Sequence, residues 1–162
     1  MKLQFSLAFA TIGTVFGATC NPDFQNYKLS ISNGYGIEWA PATLTSGSAI
    51  VAQNNDAAIG EFFVVKKASG EYIFRASNSL AVMATGSSAI ALAALTGASN
   101  QSFAITCNGC NLDGTVTAAG CRIKSVTAAR CVHYVGDAGG QVVLMGCNPN
   151  AGGQLWRFTP AA

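Results

Sequence analysis

Tyr35, Glu38 and Trp39 stand close together in "SNGYGIEWAPATLTSGS" at 32–48, between glycines and Pro41. Tyr and Trp offer large apolar area with few rotors to freeze and a polar tip, as binding loops favour. Two readings stay open: an exposed loop that stacks on a sugar or contacts a protein, or a Trp39 that folds back over the core as packing. His133 is the only histidine in the chain. As a general base it would need a Ser or Cys to activate and a carboxylate to orient it. Asp137 is the nearest acid in sequence, and no Gly-x-Ser-x-Gly motif occurs. Glu38, Glu61 and Glu71 form no recognisable acid pair. Cys107-Asn-Gly-Cys110 has the spacing of half a zinc site or of a redox motif, but a zinc ion would want a second close ligand pair. No catalysis, no metal and no cofactor are expected. Asn100-Gln101-Ser102 is a glycosylation sequon at a turn before a strand, so Asn100 is a candidate for modification.

The first residues, "MKLQFSLAFATIGTVFGATC", place one lysine before an apolar run and then small residues. That is the layout of a secretory signal peptide, assigned to residues 1–17. Residues 18–162 then form a single domain, expected as a secreted, extracellular monomer. All six cysteines lie in that domain, and an even count in a secreted chain reads as three disulfides. The formal charge is +2 with no basic cluster, so nucleic acid and anionic membranes find no electrostatic footprint. No window of the domain holds the ~18 consecutive apolar residues of a membrane span.

The elements that must carry these residues show in a repeat. "QVVLMGCNPNAGGQLWRF" (141–158) aligns without gaps on "SAIALAALTGASNQSFAI" (88–105) and "SAIVAQNNDAAIGEFFVV" (48–65). Trp156, Phe103 and Phe63 share one column; Gln154, Gln101 and Glu61 share another two places earlier. Ile50, Ile90 and Val143 align ahead of them. Each copy has an upstream apolar strand, "KLSIS", "SLAVM" or "CVHYV", and turn residues separate the segments. Three copies of a unit near 50 residues, four short strands each, predict an all-β chain: a β-trefoil of twelve short strands in three pseudo-repeats. A seven-stranded sandwich uses similar strands and stays the alternative. The stretches 32–48 and 108–120 are read as insertions.

On these motifs the chain resembles ricin B-type lectin domains, a β-trefoil family marked by three Gln-x-Trp repeats, over roughly residues 27–158. The third unit carries the resemblance best, with Cys131, Cys147 and Gln154-Leu155-Trp156. It implies that Gln and Trp support the core. It also implies that the Cys131–Cys147 pair is bridged. In the aligned hairpins Cys107 and Cys121 flank the base of the inserted loop, which leaves Cys20 for Cys110.

The family's sugar site implies an aspartate in a unit's first strand, an aromatic near the end of the second, and an asparagine just before the Gln. The aligned residues are His133, Met145 and Gly153 in the third unit, Ala81, Leu92 and Asn100 in the second, and Ser30, Ala52 and Gly60 in the first. Only Asn100 matches. A sugar hydroxyl leaving water needs strong polar partners, which the other positions do not supply. The resemblance therefore implies a lectin-like, non-catalytic binding module that has lost the usual galactose site. Its partner is an extracellular glycan or a protein. The candidate contacts are Tyr35, Glu38, Trp39 and Asn100. A protein-binding trefoil, such as a protease inhibitor or secreted effector, would use 32–48 as its elongated loop.

Overall fold

The structure, a computed structural model, describes residues 19–54, 60–112, 114–136 and 138–161. The signal-peptide reading of 1–17 lies outside the described residues. The described chain is all-β, with thirteen strands and two single-turn 3-10 segments.

Six strands close into a ring. They are β1 (Lys28–Asn33), β4 (Glu61–Lys66), β5 (Tyr72–Ala76), β8 (Phe103–Thr106), β10 (Thr117–Ser125) and β13 (Trp156–Pro160). Each pairs antiparallel with its neighbours in the order β1, β4, β5, β8, β10, β13 and back to β1. Buried and open residues alternate along these strands, as a barrel with a filled interior requires.

Three hairpins cover one end of the barrel: β2 (Ile37–Pro41) with β3 (Ile50–Asn54), β6 (Ala81–Thr85) with β7 (Ala89–Ala93), and β11 (Cys131–His133) with β12 (Val143–Met145). They hydrogen-bond in a cycle. Ala52 N donates to Gly140 O, Leu92 N to Ser48 O, and Leu144 N to Ser88 O. This threefold arrangement is a β-trefoil. The thirteenth strand, β9 (Gly109–Leu112), pairs only with β10 and belongs to the insertion at 108–120.

The cycle fixes which residues are equivalent, and it corrects the sequence alignment in three places. Ala52, Leu92 and Leu144 occupy one position, so Ile50, Ile90 and Val142 occupy another; Val142 is buried where Val143 is only half-buried. The loop between Gly146 and Gln154 is one residue longer than that between Ala94 and Gln101, which hid the shift. In the first unit Phe62 pairs with Ala76 as Phe103 pairs with Ser125, so Phe62 and not Phe63 is the aromatic of the column. Phe62 is fully buried and Phe63 half-buried. A one-residue slip moves every side chain of a strand to the other face.

The third correction is larger. The stretch 32–48 is not one open excursion from the barrel, because β2 lies within it with all five of its residues buried, and only the turns on either side, including 42–47, are exposed. Trp39 has no exposed surface, with its ring 5.4 Å from those of Trp156 and Phe74 and 6.2 Å from that of Phe62. The first unit's hairpin strand is thus Ile37–Pro41, and "KLSIS" belongs to the barrel.

The far end of the barrel is closed by the segment before β1. Phe24 is buried there, 4.6 Å from Phe158 and 5.9 Å from Tyr72 between ring centroids. The Tyr72 hydroxyl donates to Pro22 O. Cys20 and Cys107 exchange two backbone hydrogen bonds. Three disulfides join Cys20 to Cys110, Cys107 to Cys121 and Cys131 to Cys147, the same pairs named above.

Two predictions follow from this packing. Phe62→Ala should lower unfolding free energy by about 3–5 kcal/mol, and Phe63→Ala by no more than about half of that, since less apolar surface leaves water. Urea unfolding of the two variants checks the register; equal losses would return Phe63 to the core column. The second concerns pH. Burial, and then the Asp23 charge, raise the Tyr72 hydroxyl from its ordinary value near 10 to about 12. The unfolded chain releases this proton first, so the stabilisation is complete below pH 10 and is lost as pH rises toward 12. Unfolding followed from pH 9 upward should show a decline that Tyr72→Phe lacks.

Candidate functional site

The Gln-x-Trp motif of the third unit builds one wall of a surface cleft. Gln154 Nε2 donates to Gly146 O at 2.8 Å, and its Oε1 accepts from Asn148 N at 2.9 Å, which folds the loop back on itself. Trp156 is buried and its Nε1 donates to Val132 O at 3.1 Å, which locks β11 against β13. Tyr134 N donates to Gly153 O at 2.9 Å. The second unit repeats the device: Gln101 Nε2 donates to Ala94 O and Oε1 accepts from Thr96 N and Gly97 N. Both glutamines are buried, so they serve structure and not ligand contact.

The first unit has no such glutamine. With Phe62 in the aromatic position, Gly60 holds the place of Gln101 and Gln154, and Glu61 is not its equivalent. A Cβ on Gly60 would lie 2.7 Å from Trp39 O and 3.1 Å from the Glu38 carboxylate. The Glu38 side chain, nearly buried, therefore packs where a glutamine would enter. Of the two readings left open for Trp39 the structure follows the packing one, and Glu38 is corrected from a ligand contact to a buried residue.

Tyr35 alone of that group faces solvent, with two thirds of its surface exposed. It sits on the turn between β1 and β2, where buried Asn33 accepts from Tyr35 N and Ile37 N through Oδ1. Gly36 turns the chain at φ +72°, a region that L side chains rarely adopt. This turn brings Tyr35 across to the third unit. Tyr35, His133, Tyr134, Val135, Gly136 and Gly153 line a cleft of about 460 Å³. The rings of Tyr35 and Tyr134 are 6.3 Å apart and inclined by 36°.

The glycine pair ahead of Gln154 makes the cleft possible. A Cβ on Gly152 would meet the Tyr35 hydroxyl at 2.7 Å. One on Gly153 would meet His133 Cε1 at 2.8 Å and Tyr134 O at 2.9 Å. His133 Nδ1 is enclosed and has no hydrogen-bond partner among the described residues, which leaves Nε2 as the imidazole atom able to reach a ligand.

Asn100 is half-buried in the 3-10 turn Ser99–Gln101, with Oδ1 enclosed and without a partner among the described residues, so that oxygen does not face a sugar. Ser102 of the sequon is fully buried, and Lys67 Nζ donates to its hydroxyl at 2.9 Å. A modifying enzyme would have to reach the sequon before the chain folds. The residues equivalent to His133 are Met83 and Ala40, through their pairing with Ala91 and Val51, in place of Ala81 and Ser30 of the sequence alignment. The residues equivalent to Met145 are likewise Ala93 and Gln53 in place of Leu92 and Ala52. None of these is an aspartate or an aromatic. Among the described residues no group of three His, Cys, Asp or Glu side chains is placed to hold a metal ion.

Sequence reasoning missed Tyr134 and Val135, and the approach of Tyr35 to the third unit. Gly152-Gly153 was the available signal, since paired glycines mark a close approach of other groups.

No family model and no curated protein matches the sequence. Solved structures do match, at low identity. The designed threefold-symmetric protein ThreeFoil superposes with a TM-score of 0.67 at 14% identity, over 83% of this chain and 99% of that one. A lectin of Polyporus squamosus, bound to Neu5Acα2-6Galβ1-4GlcNAc, gives 0.65 at 18% identity over 85% of this chain and 50% of its own. A mosquitocidal holotoxin gives 0.71 at 14% identity, but this chain spans only 18% of it. These likenesses define the protein as a β-trefoil.

The contacts of Gly153 are open to test. Gly153→Ala should destabilise the protein by about 1–3 kcal/mol, because the new methyl meets a backbone oxygen that cannot turn aside. Denaturant unfolding measures it; a variant as stable as the parent would show the wall between Gly153 and Tyr134 to be loose.

Proposed function

We propose that the protein is a secreted, monomeric, non-catalytic glycan-binding module whose site is the cleft of Tyr35, His133 and Tyr134. The observation that carries this reading is the convergence of two tyrosine rings and one imidazole on a single cleft of the third unit. Aromatic faces suit the apolar C–H face of a sugar ring, and Nε2 of His133 offers one directional polar contact. The two rings form adjoining platforms and not a clamp: a pyranose between them would need roughly 7–8 Å, two van der Waals contacts deep, against the 6.3 Å observed.

The β-trefoil neighbours include a glycan-binding lectin, which supports the class of ligand. The same fold serves in toxins, so the site and not the fold carries the reading. Three disulfides support an oxidising, extracellular setting. The usual galactose site is absent in this reading, since no carboxylate stands at His133, Met83 or Ala40 to accept sugar hydroxyls. The protease-inhibitor reading loses the centre of its loop, because 37–41 is a buried strand, and keeps only the exposed turn 42–47.

Calorimetry with lactose and with Neu5Acα2-6Galβ1-4GlcNAc, alongside a glycan array, tests the proposal. Lactose should give no heat at millimolar concentration, where a site of about −4 kcal/mol would register. A glycan selected on the array should lose at least tenfold in affinity with Tyr35→Ala and with Tyr134→Ala. Binding indifferent to both tyrosines, or no selection from a broad array, would refute it.

A further inference from the structure

A second cleft lies at the other end of the barrel, and nothing in the threefold plan calls for it. Gln25, Tyr27, Asn111, Thr115, Val116 and Pro160 line a space of about 570 Å³ between the segment before β1 and the β9–β10 hairpin. The corresponding turn between β4 and β5 is tight, closed by Lys67 N donating to Glu71 O, and forms no such wall. The cleft is the product of the insertion.

Its walls are held unusually firmly. Cys20–Cys110 ties the leading segment to β9, and Cys107–Cys121 closes the base of the hairpin. Two of the chain's three disulfides thus brace this one place. Phe24 and the Tyr72 hydroxyl bond to Pro22 anchor the leading segment on the barrel. Gln25 and Asn111 adopt φ of 50° and 51°, a left-handed backbone that non-glycine residues rarely take and that the surrounding bonds must hold in place.

The lining has a definite chemical character. Tyr27 is half exposed, with Val116 and Pro160 extending the apolar surface beside it. The side-chain amides of Gln25 and Asn111 are exposed and make no hydrogen bond among the described residues. Among the described residues that line the cleft, none carries a charged side chain. An aromatic platform with two free amides, each both donor and acceptor, matches a neutral polyol with one apolar face.

We infer that this cleft is a second binding site, for a neutral oligosaccharide stacked on Tyr27 and held by the amides of Gln25 and Asn111. The inference shares the ligand class of the reading above but not its residues. Tyr27 and Tyr35 flank β1 at opposite ends, eight positions apart, which at ~3.3 Å per residue is on the order of 25 Å. One molecule would then engage two sugars at once.

The test is a titration of ¹⁵N-labelled protein with chitotriose and, separately, maltotriose at millimolar concentration. Amide shifts are expected at Tyr27, Asn111 and Thr115 with at least one of them. Tyr27→Phe should keep the affinity and Tyr27→Ala should reduce it at least tenfold, while Tyr35→Ala leaves these shifts in place. Tyr27 is exposed enough for both variants to fold, which their spectra report directly. No shift at this end with either sugar, or shifts that survive Tyr27→Ala, would overturn the inference. Shifts near Tyr35, His133 and Tyr134 are read separately in the same spectra, so the two sites can fail independently.

Discussion

Three backbone hydrogen bonds, from Ala52 to Gly140, Leu92 to Ser48 and Leu144 to Ser88, hold each hairpin against the next. A lone two-stranded hairpin is marginal in water. Linked in a cycle, the three become a lid that turns Trp39, Val82 and Val132 inward together. The aromatic cluster of Trp39, Phe62, Phe74, Phe103 and Trp156 can exclude water only because that lid is complete. The barrel beneath then closes its own ring of pairs.

How far this could be read from the chain differs from unit to unit, for physical reasons. Gln101 and Gln154 must reach back to the carbonyls of Ala94 and Gly146, so their spacing from Phe103 and Trp156 is fixed and legible. Gly60 replaces that glutamine, and without its constraint the alignment settled one residue late, on Phe63. Strand β2 was hidden because all five of its residues are buried, which removes the alternation that marks a half-exposed strand. Its glycine-rich approach and Pro41 then read as a loop. Tyr35 was recognised as a contact residue, but its neighbours come from a unit a hundred residues away, and no local pattern records that approach.

The candidate sites lie where the threefold plan is broken. The first cleft depends on a turn of the first unit leaning over two glycines of the third. The second depends on an insertion in the second unit and a leading segment with no counterpart elsewhere. Positions that keep the symmetry, such as Phe103, Gln154 and Trp156, are committed to the core. Unlike loops on a shared threefold frame give one trefoil several different surfaces.

Strand β9 is an edge. Every barrel strand has a partner on both sides, and closed sheets offer no template for another chain. Strand β9 pairs on one side only. It is four residues long, its ladder with β10 breaks register beside Thr117, and the Cys110 bridge ties it to the leading segment. A short, irregular, tethered edge is a poor seed for strand-to-strand growth, so this free ladder is badly placed to start an aggregate.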